Sequence, residues 1–186
     1  MNKFKVTIPH VDNDNFLFDD YGGNAKKEIL IDGLSHLSPE ISWDPVEGAK
    51  SYALECIDYD SASACGLIFV HWVVANIHTT KLELNASLKN KDILQGVNSC
   101  TNGIYKNFDL VDDEKYISNL KNSLYVGPCP PNSDHFYTFT IYALDIENLN
   151  LKQPFFIGDL HDKMNSHIIS QSQIRVKYKQ VLKKFK

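Results

Sequence analysis

His71 stands in "GLIFVHWVVANI" (66–77), a run made otherwise of mostly large, apolar residues. A second histidine, His135, opens "HFYTFTIYALD" (135–145), with Tyr137 two residues on and so on the same side of an extended chain. Asp58 and Asp60 close "SYALECIDYD" (51–60), and "GPCPP" (Gly127 to Pro131) precedes His135. Two imidazoles and a phenol are hydrogen-bond donors that suit an anion. A carboxylate such as Asp58 beside one ring would set its tautomer and favour its charged form. The same groups suit enzymes too, because two histidines and an aspartate can make a facial metal triad or an acid–base hydrolase. Neither G-x-S-x-G nor H-E-x-x-H occurs, and no nucleophile stands near a base in a recognisable pattern. Taken alone, His71 reads as a core histidine bonded to a backbone carbonyl. Partners from elsewhere in the chain are needed to make it a site.

The elements that would bring those partners together are mostly strands. Residues 38–43 ("SPEISW") read as a short strand before the turn at Asp44-Pro45 and Gly48. Residues 51–58 alternate and read as a strand. On strict alternation, His71 shares a face with Leu67, Phe69, Val73 and Ala75, opposite Ile68, Val70, Trp72 and Val74. Both faces of that strand are apolar, so both are covered. In "GPCPP" the prolines fix φ and remove donors, while Gly127 lets backbone come close to a neighbour. Residues 85–125 are polar and rich in Asn and Asp, and read as long loops with short ordered pieces. Ile157, Leu160, Met164 and Ile168 recur at helical spacing, and Ile174, Val176 and Tyr178 alternate with cations as a half-exposed strand. The sum is a mostly β fold of two packed sheets edged by a late helix.

Composition narrows the function classes. The chain has 186 residues, 43% hydrophobic, which suits a single domain over 1–186 with a real core. A net charge of -4, with Arg175 the only arginine, argues against nucleic acid. The basic end "RVKYKQVLKKFK" reads as a solvated strand and tail. The first twenty residues lack a signal-peptide pattern and no stretch has the length of a membrane span, so a cytoplasmic protein without integral membrane association is expected. Cys56, Cys65, Cys100 and Cys129 show no C-x-x-C spacing, which fits free thiols and no bound metal.

The ordered motifs "DYDSA" (58–62), "HWVVANI" (71–77), "GPCPP" (127–131) and "HFY" (135–137) resemble the phosphatidylethanolamine-binding protein family, also called Raf kinase inhibitor-like proteins, and its short bacterial branch. "SPEISW" and "YALD" (142–145) add to the likeness, which runs from about residue 16 to 179. The resemblance implies a large antiparallel sheet packed on a smaller one with a C-terminal helix alongside. It also implies a pocket for phosphate or a phosphorylated or carboxylate small molecule. Carried over by position, the ligand-binding residues are Asp58, Asp60, His71, Gly127, Cys129, Pro130, His135 and Tyr137, with Cys129 offering its backbone amide. No cofactor, metal or catalytic residue is implied. A regulatory role follows, toward a kinase or another enzyme as protein partner, with an enzyme using the His/His/Asp pocket as the alternative. A homodimer is compatible with the sequence. Tyr59 and Ala62 stand where the family has prolines, and Phe136 where it has arginine. The acidic stretch 104–124 is longer than the short branch leads one to expect, and the sequence leaves open whether it partly covers the pocket mouth.

Overall fold

The computed structural model describes residues 4–31, 33–100 and 123–182. Its strands are β1 (Val6–Thr7), β2 (Leu30–Ile31), β3 (Leu34–Ser35), β4 (Ile41–Trp43), β5 (Ser51–Asp58), β6 (Phe69–Ile77), β7 (Lys81–Leu82), β8 (Leu94–Gln95), β9 (His135–Leu144) and β10 (Ile168–Tyr178). A 3₁₀ turn (Asp19–Tyr21) and three short helices, α1 (Ala62–Cys65), α2 (Ala86–Lys89) and α3 (Ile157–Met164), complete the described elements. Five strands form one antiparallel sheet in the order β10-β9-β5-β6-β8. Three more form a smaller antiparallel sheet in the order β1-β4-β7, and β2-β3 is a hairpin.

The large sheet is covered on both faces, as its doubly apolar strands require. On one face Leu54, Cys56, Trp72, Val74, Phe139 and Ile141 pack with Val6, Ile41, Trp43 and Leu82 of the small sheet. On the other, Ala53, Ile57, Val73, Ala75 and Leu144 pack beneath Leu160 and Met164 of α3. Eight residues are too few to hold a helix in water unaided, so it is the burial of those two side chains that keeps α3 in place. The helical spacing of 157, 160 and 164 is realised. Ile168, the next apolar position in that series, instead opens β10. On this second face the buried Glu55 carboxylate is matched by two donors, Tyr142 Oη at 2.8 Å and His161 Nε2 at 2.7 Å.

Strict alternation fails in β6, and it fails at His71. Cys56 of β5 pairs with Trp72, and its neighbour Ile57 pairs with Val70, so His71 is an extra residue opposite no partner. A bulge of this kind re-aims one side chain and reverses the phase beyond it. His71 therefore lies on the same side of the sheet as Trp72 and Val74, while Val73 and Ala75 turn to the α3 side with Val70. The expected grouping of His71 with Val73 and Ala75 is corrected accordingly. Its grouping with Phe69 holds, the two rings being 4.7 Å apart. The vacant edge of β6 at the bulge is bonded by other segments. Val126 N–H donates to His71 O at 3.0 Å, and Ser99 N–H to Val70 O at 2.9 Å.

A strand-end cavity floored by histidines and tyrosine

β9, β5 and β6 lie side by side, and their register puts Tyr137, Asp58 and Phe69 in one row. His135 begins β9 at the same end, and the bulge swings His71 into that row from β6. A cavity of about 310 Å³ opens there. Asp58, His71, Gly127, Cys129, Pro130, His135 and Tyr137 all line it, together with apolar Leu34, Ala64, Phe69 and Val126. Asp60 does not. Its carboxylate instead accepts the Phe136 backbone N–H at 2.8 Å, tying the 59–61 turn to the start of β9. The lining also includes Ser61, Cys65, Cys100 and Pro131, and no Lys or Arg among the described residues.

The polar groups of the floor are held in a definite pattern. Asp58 Oδ1 accepts the Ser61 N–H at 2.9 Å, and Oδ2 lies 2.9 Å from His135 Nδ1. His135 Nε2 faces Asn132 Oδ1 at 2.8 Å, so both nitrogens of this ring are engaged. The carboxylate expected beside an imidazole is thus present, but it orients His135 and not His71. His71 Nδ1 donates to Val126 O at 2.7 Å, the backbone contact of an ordinary core histidine, while the ring remains part of the cavity wall. Burial pushes the His71 pKa down to about 4, against smaller opposing contributions from that hydrogen bond and from Asp58. The charged form expected for a ring beside Asp58 is corrected for His71, which is a neutral imidazole at neutral pH.

Tyr137 stands with its ring edge-on to His71, centroids 5.0 Å apart. Its hydroxyl is buried and makes no hydrogen bond among the described residues. Burial first, and then the Asp58 charge nearby, raise its pKa far above the ordinary value, so it is a donor throughout the physiological range. The two Asp58 oxygens make their well-formed hydrogen bonds to Ser61 and His135. The same carboxylate acts on this hydroxyl by its charge and as a nearby acceptor that is not aligned for a bond of good geometry.

The proline loop is buttressed by a segment that carries no obvious chemistry in sequence, Tyr21-Gly22-Gly23. Gly127 N–H donates to Ser35 O at 2.7 Å, and Gly23 N–H to Pro128 O at 2.7 Å. A Cβ on Gly127 would collide with the Tyr21 carbonyl oxygen and come within 2.9 Å of Gly22 Cα. Gly22 meets the same limit against Tyr178 and Pro128 O. Glycine is therefore required at 127 by close approach of two backbones. Gly127→Ala is expected to lower stability by about 2 kcal/mol, the overpacking cost of a rigid contact. A thermal melt within a degree of wild type would show that the two segments separate freely.

The turn from Asp58 into α1 lacks the family prolines at 59 and 62, and hydrogen bonds hold it instead. Besides the Asp58 and Asp60 contacts, Ser61 Oγ donates to Leu67 O at 2.6 Å. Phe136 lies beneath the Arg175 guanidinium, 4.3 Å from its ring centroid, so a cation reaches this surface from β10. Most of the 104–124 stretch and the last four residues of the basic end lie outside the described residues.

All four cysteines are free, and three of them, Cys65, Cys100 and Cys129, line the cavity. Burial pushes the Cys100 thiol up to about 11, and Cys56, wholly inside, well above its usual value. A chromogenic disulfide reagent is expected to label exposed Cys65 first and to leave Cys56 unreacted until denaturant is added, when the count reaches four. Labelling of Cys56 in native protein at the rate of Cys65 would contradict this burial. Among the described residues no three His, Cys, Asp or Glu side chains are grouped to hold a metal ion. No described helix is long and apolar enough to cross a membrane.

Two antiparallel sheets of unequal size, with a cavity at the ends of three neighbouring strands, define a β-sandwich with a polar-floored pocket. The chain belongs to the phosphatidylethanolamine-binding protein family, whose model matches residues 7–179. It is 34% identical over 171 residues to the protein YxkA of Bacillus subtilis, covering 90% of this chain and 96% of that one. A UPF0098 protein of Methanothermobacter thermautotrophicus is 33% identical over 156 residues, covering 82% of this chain and 88% of the relative. In fold it is similar to a putative family homologue, CT736 from Chlamydia trachomatis. There the TM-score is 0.72 at 22% identity, over 97% of this chain and 100% of the other. Escherichia coli YbcL gives a TM-score of 0.70 at 21% identity, with the same coverage of both chains.

Proposed function

We propose that this chain is a binding protein whose strand-end cavity takes the head group of a small phosphorylated or carboxylate molecule. The observation that carries the reading is the buried Tyr137 hydroxyl, a donor with no partner among the described residues, in the wall of a 310 Å³ cavity. An unmet buried donor costs stability, and a ligand oxygen would meet it. His71, Asp58 and His135 surround the same space, and Gly127, Cys129 and Pro130 form its lip. No backbone hydrogen bond among the described residues uses the Cys129 N–H, which supports its role as a second donor. Asp60 serves at one remove, by holding the turn that carries Asp58.

The role we assign to binding is regulatory, toward a kinase or another enzyme. Exposed Tyr59, Leu67 and Ile68 flank the cavity-lining Ser61, Ala64 and Cys65 and offer apolar surface at its edge to a protein partner. The four free thiols fit a reducing compartment such as the cytoplasm. The acid–base enzyme reading is disfavoured by the Asp58–His135 pair itself, since the outer nitrogen of His135 is taken up by Asn132 Oδ1 at 2.8 Å.

Calorimetric titration with inorganic phosphate, phosphoethanolamine and acetate tests the binding reading. Tyr137→Phe is expected to weaken binding about fivefold to tenfold, the worth of one neutral hydrogen bond, while leaving stability unchanged or raising it by about 1 kcal/mol. Absence of binding by all three molecules, or a Tyr137→Phe variant that binds as wild type does, would count against it.

A further inference from the structure

We propose that the cavity floor selects an oxyacid that still carries a proton: one ligand oxygen accepts from Tyr137 Oη–H while a neighbouring O–H donates to His71 Nε2. This rests on the reading of the cavity as a head-group site and specifies which form of the head group it holds. The polarity of both groups follows from their surroundings. The Val126 carbonyl can only accept, so the proton of a neutral His71 ring sits on Nδ1, and Nε2 carries a lone pair. Nε2 has no hydrogen-bond partner among the described residues, and the ring lines the cavity. Tyr137 beside it keeps its proton and makes no hydrogen bond of good geometry among the described residues, the nearby Asp58 carboxylate already receiving the Ser61 N–H and facing His135.

A second proton on His71 finds little support from the elements packed around it. Phe69 and Tyr137 present rings at 4.7 and 5.0 Å. Asp58 of β5 directs its oxygens at Ser61 and His135, and His135 of β9 opposes a further cation. Cys65, Cys100 and Cys129 are the other ionisable side chains in the lining, and no described Lys or Arg joins them. An acceptor and a donor side by side match the P(=O)–OH or C(=O)–OH edge of a protonated acid. A fully ionised oxyanion would set a lone pair against Nε2, close to the Asp58 carboxylate. A phosphate monoester, with a second ionisation near about pH 6, keeps that proton at neutral pH far more readily than a carboxylic acid. The chemical class selected is the monoanion of a phosphate monoester.

The test is calorimetric titration between pH 5.5 and 8 with two probes, methyl phosphate and dimethyl phosphate. The diester is a monoanion across the range and has no O–H, so its pH dependence reports only groups of the protein. The monoester is expected to bind more tightly than the diester at pH 5.5. Its affinity relative to the diester should then fall by about tenfold per pH unit above its second ionisation. His71→Gln, whose amide can either donate or accept, should flatten that ratio. A ratio that holds steady or rises toward pH 8 overturns the selection of a protonated acid and leaves the head-group reading standing. If neither probe binds at any pH, this inference falls, and if inorganic phosphate, phosphoethanolamine and acetate fail as well, the head-group reading falls with it.

Discussion

Asp58→Ala is expected to cost about 2–3 kcal/mol of stability, because it leaves the Ser61 N–H and a His135 ring nitrogen without their buried acceptor. Both carboxylate oxygens are used: Oδ1 by the Ser61 N–H and Oδ2 by His135 Nδ1, on a residue only 3% exposed. Truncation leaves His135, itself 1% exposed, without its partner and frees the turn that leads into α1. Asp58→Asn preserves shape and one acceptor, so its cost should be smaller, about 1–2 kcal/mol. Urea denaturation of the three proteins at pH 7 gives the comparison. Two variants within about 0.5 kcal/mol of wild type would mean that these hydrogen bonds contribute no net stability.

The second large effect is a loss of stability on acidification that traces to His71. Its folded pKa is about 4, below the ordinary histidine value of 6.5, because burial disfavours the charged ring. Between those values the unfolded chain takes up a proton that the folded protein refuses. Stability therefore rises with pH across that window, is present in full above about pH 6.5, and is lost as pH falls toward 4. At about 1.4 kcal/mol per pH unit, the contribution of His71 is ~3 kcal/mol. His71→Gln keeps an amide donor for Val126 O and cannot titrate, so the difference between wild type and variant isolates the term. If that difference is the same at pH 4.5 and pH 7, His71 is not held neutral in the folded protein.

Much of the architecture was legible because burial on two faces leaves a plain mark on a strand. Residues 51–58 and 135–144 form strands as their apolar runs imply, and 174–178 alternates within β10. The four motifs also indicated which strand ends would meet, and in the structure seven of the eight residues named from them line one cavity. Asp60 was the exception. Two carboxylates one residue apart read alike in sequence, and only the approach of the Phe136 N–H separates their tasks.

The sequence by itself determined the strands, their apolar faces and the set of polar side chains available at their ends, since these follow from side-chain type and a period of two. It could not determine which way His71 points. That depends on the register of β6 against β5, where one unpaired residue reverses the alternation, and register is a property of two strands. The protonation of the floor was settled in the same way. Which ring Asp58 would orient turned on a 2.9 Å contact with His135, and His71 met the Val126 carbonyl, contributed by a segment 55 residues further along the chain. The requirement for glycine at 127 arises from Tyr21 and Gly22, more than a hundred residues away. Contacts of that span set donor direction and charge, and only the folded chain brings them together.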